Sequence, residues 1–246
     1  MVGSPFEQFE IIPFLSFGSL GQNFAITNSS LFSLIVLCGA AGFFSFATGE
    51  ARVVPNRYQV IGEQLYALVA DVMKDTVGSR GAAYFPWMFA TFSMIAFANL
   101  IGLIPYSFTI TSHIIVTLMF SLMVYIGVTT IMIREHGFHA LSVFLPAGAP
   151  FALYPLLIAI ELISNVMRVV SLSVRLFANM MSGHILLKVL LGFAWTMMLA
   201  GGVVFVLHLV PLFVVFVLLF LETAVAIIQA YVFATLACIY LNEALN

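Results

Sequence analysis

Charge is what this chain has least of. Its 246 residues include eight Lys or Arg and ten Asp or Glu, 7% of the total. Soluble domains carry about 25%. Such a density excludes a solvated globular surface, and 63% of the residues are hydrophobic. Cysteine is scarce as well. Cys38 and Cys238 lie in apolar runs near opposite ends of the chain and read as small buried hydrophobes, not as a disulfide. Residues 1–27 hold no Lys or Arg, so the basic start of a signal peptide is missing. No Cys/His spacing suggests a metal site and no Gly-rich loop suggests a nucleotide. Neither metal nor cofactor is expected. The net charge of −2 selects no partner, and no nucleic acid is expected.

What is present is apolar length. The runs are helical in length, unlike the roughly ten-residue alternating segments of a membrane barrel. The chain therefore reads as an all-α integral membrane protein with one membrane domain, 1–246. Residues 1–27 form an N-terminal segment. Residues 28–49 form a first transmembrane helix, with N-cap chemistry at Asn28, Ser29 and Ser30. About 20 apolar residues cross a hydrocarbon core of about 30 Å. Residues 50–82 differ. Arg52, Arg57, Lys74 and Arg80 alternate with Val60, Leu65, Leu68, Val69 and Val72, the pattern of an amphipathic helix lying on the membrane surface. Residues 84–133 read as a helical hairpin with a tight return at 106–111. A polar break at 134–150 contains His136, His139, Pro146 and Pro150.

Two long apolar segments follow, within 151–242. Each has one proline, Pro155 or Pro211, near its start. Forty helical residues span about 60 Å, roughly twice the hydrocarbon thickness. The segments are expected to be steeply tilted or bent. The alternative is a disguised break in each. Lys and Arg placement gives orientation. The 50–82 segment and the 134–150 break face the cytoplasm or matrix, the N-terminus faces the opposite side, and the C-terminus lies on the basic side.

Arg168 and Arg175 interrupt the first long segment, with Glu161 upstream. An arginine at mid-membrane costs about 2.5–3.5 kcal/mol on lenient insertion scales. A guanidinium cannot shed its charge to escape that cost. With Glu161 at zero on a helical wheel, Ser164, Asn165, Arg168, Leu172, Arg175, Asn179 and Ser182 fall within about 60°. His184 lies about 140° off that face. On the last segment Glu222 and Gln229 share a face, with His208 two heptads back on nearly the same side. Structural readings stand beside a functional one. Glu161 and Arg168 form an ion pair, although about 10 Å of helix separates them. Arg175 and Glu222 pair and merely hold the fold. His208, His113, His136 and His139 are interface or loop residues. Glu161, His184 and Glu222 remain as titratable groups at different depths, the components of a proton relay.

These residues match a family. Ser171-Leu172-Ser173-Val174-Arg175-Leu176-Phe177-Ala178-Asn179-Met180-Met181-Ser182-Gly183-His184 closely resembles the signature of subunit a of rotary F-type ATP synthases. Glu161-Leu162-Ile163-Ser164 upstream and Glu222 with Gln229-Ala230-Tyr231-Val232-Phe233 downstream agree. Asn99-Leu100-Ile101-Gly102-Leu103-Ile104-Pro105-Tyr106 and Ser4-Pro5-Phe6-Glu7-Gln8-Phe9-Glu10-Ile11 look like the mitochondrial version. His at 184 with Glu at 222 also looks mitochondrial, since some bacterial relatives place the acid and the histidine the other way round.

The resemblance implies a stator beside a ring of c subunits, each with one membrane-buried carboxylate. Two offset half-channels reach that ring, and Arg175 separates them. His184, Glu222 and Asn179 with Gln229 map to the uptake side, facing the intermembrane space. Glu161 and Ser164 map to the release side, toward the matrix, where Arg168 shapes the field. The implied partners are the c-ring, the peripheral stalk, other Fo membrane subunits and the lipid bilayer, with protons as the sole small substrate. The chain is not an enzyme by itself. The implied location is the mitochondrial inner membrane, with the bacterial inner membrane as the alternative. A proton-coupled secondary transporter or a respiratory-complex membrane subunit is the rival class, but such transporters often show internal repeats, and no repeat is visible here.

Overall fold

A computed structural model of the chain describes residues 7–19, 22–49, 53–104, 107–137 and 154–245. Arg52, Pro105, Tyr106, His139, Pro146 and Pro150 lie outside the described residues. The described chain is mainly helical: α1 (Asn28–Gly49), α2 (Arg57–Thr76), α3 (Phe85–Gly102), α4 (Ile114–His136), α5 (Tyr154–Ala200), α6 (Val203–Leu207) and α7 (Leu209–Leu245). Short 3-10 turns at Gly78–Tyr84 and Ile110–Ser112 lead into α3 and α4. Five helical stretches are long and apolar enough to cross a membrane.

The N-terminal segment is not featureless. Strands β1 (Pro13–Ser19) and β2 (Gln22–Thr27) form an antiparallel hairpin with Phe17 opposite Phe24 and Leu15 opposite Ile26. Two short runs rich in Phe, Ile and Thr around a Gly/Ser break carry that signal. The chain is otherwise all-α as expected, with this hairpin added at its N-terminal side. Asn28 ties the hairpin to α1: its Nδ2 donates to the Glu10 carbonyl at 2.9 Å and its Oδ1 accepts from the Ile12 amide at 3.3 Å. The reciprocal cap of α1 is made by Thr27 and Ser30. Each hydroxyl accepts from the other residue's backbone N–H, at 3.0 and 3.4 Å.

Caps explain the other boundaries. Asn56 accepts from the Arg57 N–H at 2.8 Å to start α2. Pro86 stands in the first turn of α3. Gly137, with φ of 55°, closes α4. Arg134, Glu135 and His136, expected in a polar break, therefore complete the last turn of α4. Gly201 and Gly202, at φ of 68° and 62°, turn the chain between α5 and α6. Pro155 and Pro211 fall in the first turns of α5 and α7, where a missing N–H breaks no helical bond. Both helices run unbroken, for 47 and 37 residues. At 1.5 Å per residue they are about 70 and 55 Å long.

α7 is the centre of the packing. The main core joins Val69 and Met73 of α2, Met88, Phe92 and Ile95 of α3, Val124 and Val128 of α4, and Leu172 and Leu176 of α5 to Ala230, Phe233, Ala237, Cys238 and Leu241 of α7. Lipid is as apolar as these side chains, so close van der Waals packing, not dehydration, holds membrane helices together. Small residues serve that end. Ala226, Ala230, Ala234 and Ala237 form a fully or nearly fully buried seam on α7. The apolar stripe of α2 enters the same core. Cys238 is buried, but Cys38 is exposed on α1, contrary to expectation, and both are free. The outer faces of α5 and α7 expose Leu162, Ile163, Met167, Phe213, Phe216 and Phe220, as a chain solvated by lipid does.

Ala230, fully buried, has no room for a larger side chain. Ala230→Leu should destabilise the fold by about 1–3 kcal/mol, read as a lower thermal midpoint of the detergent-purified protein and less assembled material. An unchanged midpoint would contradict the packing described.

Candidate functional site

α5 and α7 run antiparallel, and their polar residues meet at three levels. Near one end Arg168 of α5 forms an ion pair with Glu243 of α7, and its guanidinium lies 5.3 Å from the centre of the Tyr240 ring. In the middle Asn179 donates from Nδ2 to Gln229 Oε1 at 2.9 Å. Further along, His184 Nε2 stands 3.9 Å from Glu222 Oε1. The stripe on α5 thus faces α7 through Arg168 and Asn179. Leu172, on the same stripe, is buried in the core.

Arg175 is the exception. It is exposed, and it has no hydrogen bond or ion pair among the described residues. Interpolation between the Arg168–Glu243 and Asn179–Gln229 contacts puts Arg175 level with Ala234, one of the small buried residues of α7. No acid of α7 is opposite it. Neither structural pairing considered for this region forms: Arg168 pairs with Glu243 rather than Glu161, and Arg175 does not pair with Glu222. Glu161 and Ser164 are partly buried on α5 toward the Arg168 end.

Glu222 sits deep, 5% exposed, with no hydrogen-bond partner on either carboxylate oxygen. A buried carboxylate in that condition is costly unless it neutralises or meets polar company. Gly183 makes room for it, because a Cβ there would stand 2.5 Å from Glu222 Oε1. A cavity of about 240 Å³ beside them is lined by Asn179, Ser182, Gly183 and Glu222 together with leucines. That volume accommodates several waters at about 30 Å³ each. His184 also meets the loop between α3 and α4, where Thr109 Oγ1 is 3.0 Å from its Nε2. Secondary ties hold the frame. Asn99 Nδ2 donates to the Ala226 carbonyl at 3.3 Å, and the Thr117 and Ser173 hydroxyls are 3.1 Å apart.

Over the comparisons with known proteins, a family model described as ATP synthase A chain matches residues 29–242. The chain belongs to the ATP synthase A chain family. It is 46% identical over 246 residues to ATP synthase subunit a of Chondrus crispus, covering all of this chain and 97% of that one. It is 48% identical over 250 residues to ATP synthase subunit a of Pylaiella littoralis, covering 100% and 99%. It is 47% identical over 243 residues to ATP synthase subunit a of Rhodospirillum rubrum, covering 99% and 98%. The span matched by the family model takes in Arg175 and the Asn179–Gln229 and His184–Glu222 pairs, while Glu243 lies one residue beyond it.

Glu243 and Tyr240 escaped the reading of the sequence, as did Thr109. The first two had a signal. Continuing the Glu222 face of α7 at 100° per residue brings Tyr240 to about 0° and Glu243 to about −60°. Thr109 had none, because its place depends on how a loop folds back against α5. His113 caps the start of α4 and stacks on Phe108, with ring centres 5.0 Å apart. His208 lies between α6 and α7, its Nδ1 against the Phe205 carbonyl.

Gly183→Ala should push the Glu222 carboxylate out of its seat and slow proton-coupled turnover several-fold while the complex still assembles, with Gly183→Val worse. Turnover per assembled complex measures it. Equal rates for all three would mean that Glu222 is free to move without consequence.

Proposed function

We propose that Arg175 is the fixed positive charge that keeps two proton paths apart, on the stator subunit of the Fo membrane sector of ATP synthase. Membership of the family makes the chain a proton-translocating membrane subunit and not a nucleotide-cleaving one. The observation that carries the assignment is the state of Arg175: a guanidinium that is exposed and has no hydrogen bond or ion pair among the described residues. Such a group is available to a carboxylate brought from outside the chain, and the partner of that chemistry is the rotating c-ring.

The chemistry follows from elementary electrostatics. A ring carboxylate facing lipid stays protonated because ionisation there is costly. Beside Arg175 the charged form is favoured, and the proton leaves by the release path. Glu161, Ser164 and Arg168 serve that path, joined by Glu243. The Arg168–Glu243 pair sets the local field there without leaving a free arginine. Moving on, the ring carboxylate regains a proton from the uptake path. Glu222, His184 and the Asn179–Gln229 pair serve this second path, and the cavity beside Glu222 supplies the wet surface. Arg175 is about 10 Å along α5 from Arg168 and about 14 Å from His184, so it stands between the two groups. Each charge that crosses the membrane yields about 2.3 kcal/mol per 100 mV. Rotation carries that energy to ATP synthesis elsewhere in the complex.

The long tilted helices α5 and α7 lie against the ring in this reading, and the peripheral stalk holds the chain still. The location is the mitochondrial inner membrane, supported by the motifs at 184 and 222 and at 4–11. A relative from Rhodospirillum rubrum at 47% identity keeps the bacterial inner membrane as the alternative. The basic residues place the N-terminus on the intermembrane-space side and the C-terminus on the matrix side.

Arg175→Ala should abolish both ATP-driven proton pumping and proton-driven synthesis in an assembled complex. Wild-type synthesis in that variant would end the reading. Arg168→Gln should be milder, and if it were equally inactive with assembly intact the two arginines would have exchanged roles. His184→Ala and Glu222→Ala should be non-additive in pumping rate when combined, because groups that act as one unit fail together. Simple addition on a logarithmic scale would mean that they work independently.

A further inference from the structure

We propose that Thr109 is a positioning residue for proton uptake: its hydroxyl oxygen accepts from the His184 Nε2–H, fixing the tautomer and the orientation of the ring beside Glu222. The inference rests on the reading of His184 and Glu222 as the uptake pair and adds a residue that no motif marks.

The argument starts at the end of α3. The last four carbonyls of a helix have no partner within it and need donors from elsewhere. Leu100, Ile101 and Ile104 receive backbone N–H groups from Leu103, Ile104 and Ser107. Gly102 receives no backbone donor among the described residues. Two hydroxyls reach its carbonyl, Ser107 and Thr109, each at 3.1 Å. The Ser107 hydroxyl is nearer to the carbonyls of Ile101, at 2.8 Å, and Ile104, at 2.7 Å. It has one proton, and the shorter contacts claim it. Among the described residues, the donor left for the Gly102 carbonyl is therefore the Thr109 hydroxyl.

That commitment decides the rest. With its proton on the Gly102 carbonyl, the Thr109 oxygen has only lone pairs to offer. His184 Nε2 lies 3.0 Å from it. The contact is then a hydrogen bond only if Nε2 carries the hydrogen, which selects the Nε2–H tautomer of the neutral ring. The same nitrogen is the one 3.9 Å from Glu222 Oε1. When an incoming proton adds to the lone pair of Nδ1, the Nε2 hydrogen exchanges its Thr109 acceptor for the Glu222 carboxylate, and its N–H bond breaks as an O–H bond forms on Glu222. A hydrogen bond to one ring nitrogen is the usual device for fixing the other's role.

The loop is built to keep Thr109 in place. The residue is buried, 4% exposed. The Ser112 hydroxyl donates to the Thr109 carbonyl at 2.6 Å, and the Ser112 N–H donates to it at 3.3 Å. At Gly102 a Cβ would lie 2.8 Å from Thr109 Cγ2 and 3.2 Å from its Oγ1. Glycine at that position lets the hydroxyl reach the carbonyl.

The test uses the full complex in liposomes, with the amount assembled measured for each variant. Thr109→Val keeps the shape and removes the hydroxyl. Thr109→Ser keeps the hydroxyl and removes a methyl. Loss of one hydrogen bond that orients a reacting group should slow proton uptake about fivefold to tenfold in the valine variant, with the serine variant within about twofold of wild type by the same reasoning. A packing role gives the reverse order. In a His184→Ala background, Thr109→Val should cause no further loss. The proposal falls if Thr109→Val runs at the wild-type rate, if serine is as slow as valine, or if the valine effect persists in full without His184. If Thr109→Val does not assemble, Thr109→Ala against Thr109→Ser carries the same comparison. A normal rate in His184→Ala alone would mean that the uptake pair itself is wrong. A slow His184→Ala with a normal Thr109→Val would remove only the role of Thr109.

Discussion

A guanidinium that cannot lose its charge must be kept in a chain solvated by lipid. The contact between α5 and α7 is organised around that constraint. Arg168 is answered by Glu243 and by the ring of Tyr240. Arg175 has no hydrogen bond or ion pair among the described residues, while the neighbouring levels are paired: Asn179 with Gln229 on one side, Arg168 with Glu243 on the other. The alanine seam of α7 tightens the core, and Ala226 meets α3 there through Asn99.

Polar groups elsewhere follow the same economy. Glu222 is buried beside a glycine and a cavity instead of against a permanent cation. His184 is held from the other side by a loop hydroxyl. The loop owes its shape to hydroxyls that satisfy the end of α3. A helix terminus, ordinarily a local matter, here sets the geometry of a titratable ring on another helix.

Much of this was legible before any coordinates. Long uncharged runs announce membrane helices because a polar backbone has no other way to cross lipid. The stripe from Glu161 to Ser182 was visible because polar residues are rare enough in such runs for their spacing to stand out. Other features were hidden for physical reasons. The hairpin at Pro13–Thr27 is short and lies outside the long periodic segments. Glu243 stands on α7, outside the polar stripe of α5. Its pairing with Arg168 depends on the antiparallel register of two helices distant in sequence. Thr109 is one hydroxyl among many in a loop. The helix outlasts its apolar run, because Arg134 and His136 continue it to Gly137.

The central claim is that Arg175 separates two paths that join only through the moving ring. The most direct test is passive proton conductance of the reconstituted membrane sector with its rotor locked by a cross-link. The account predicts no conductance in the locked wild type and measurable conductance when Arg175 is replaced by alanine. Proton flow through the locked wild-type sector would contradict it.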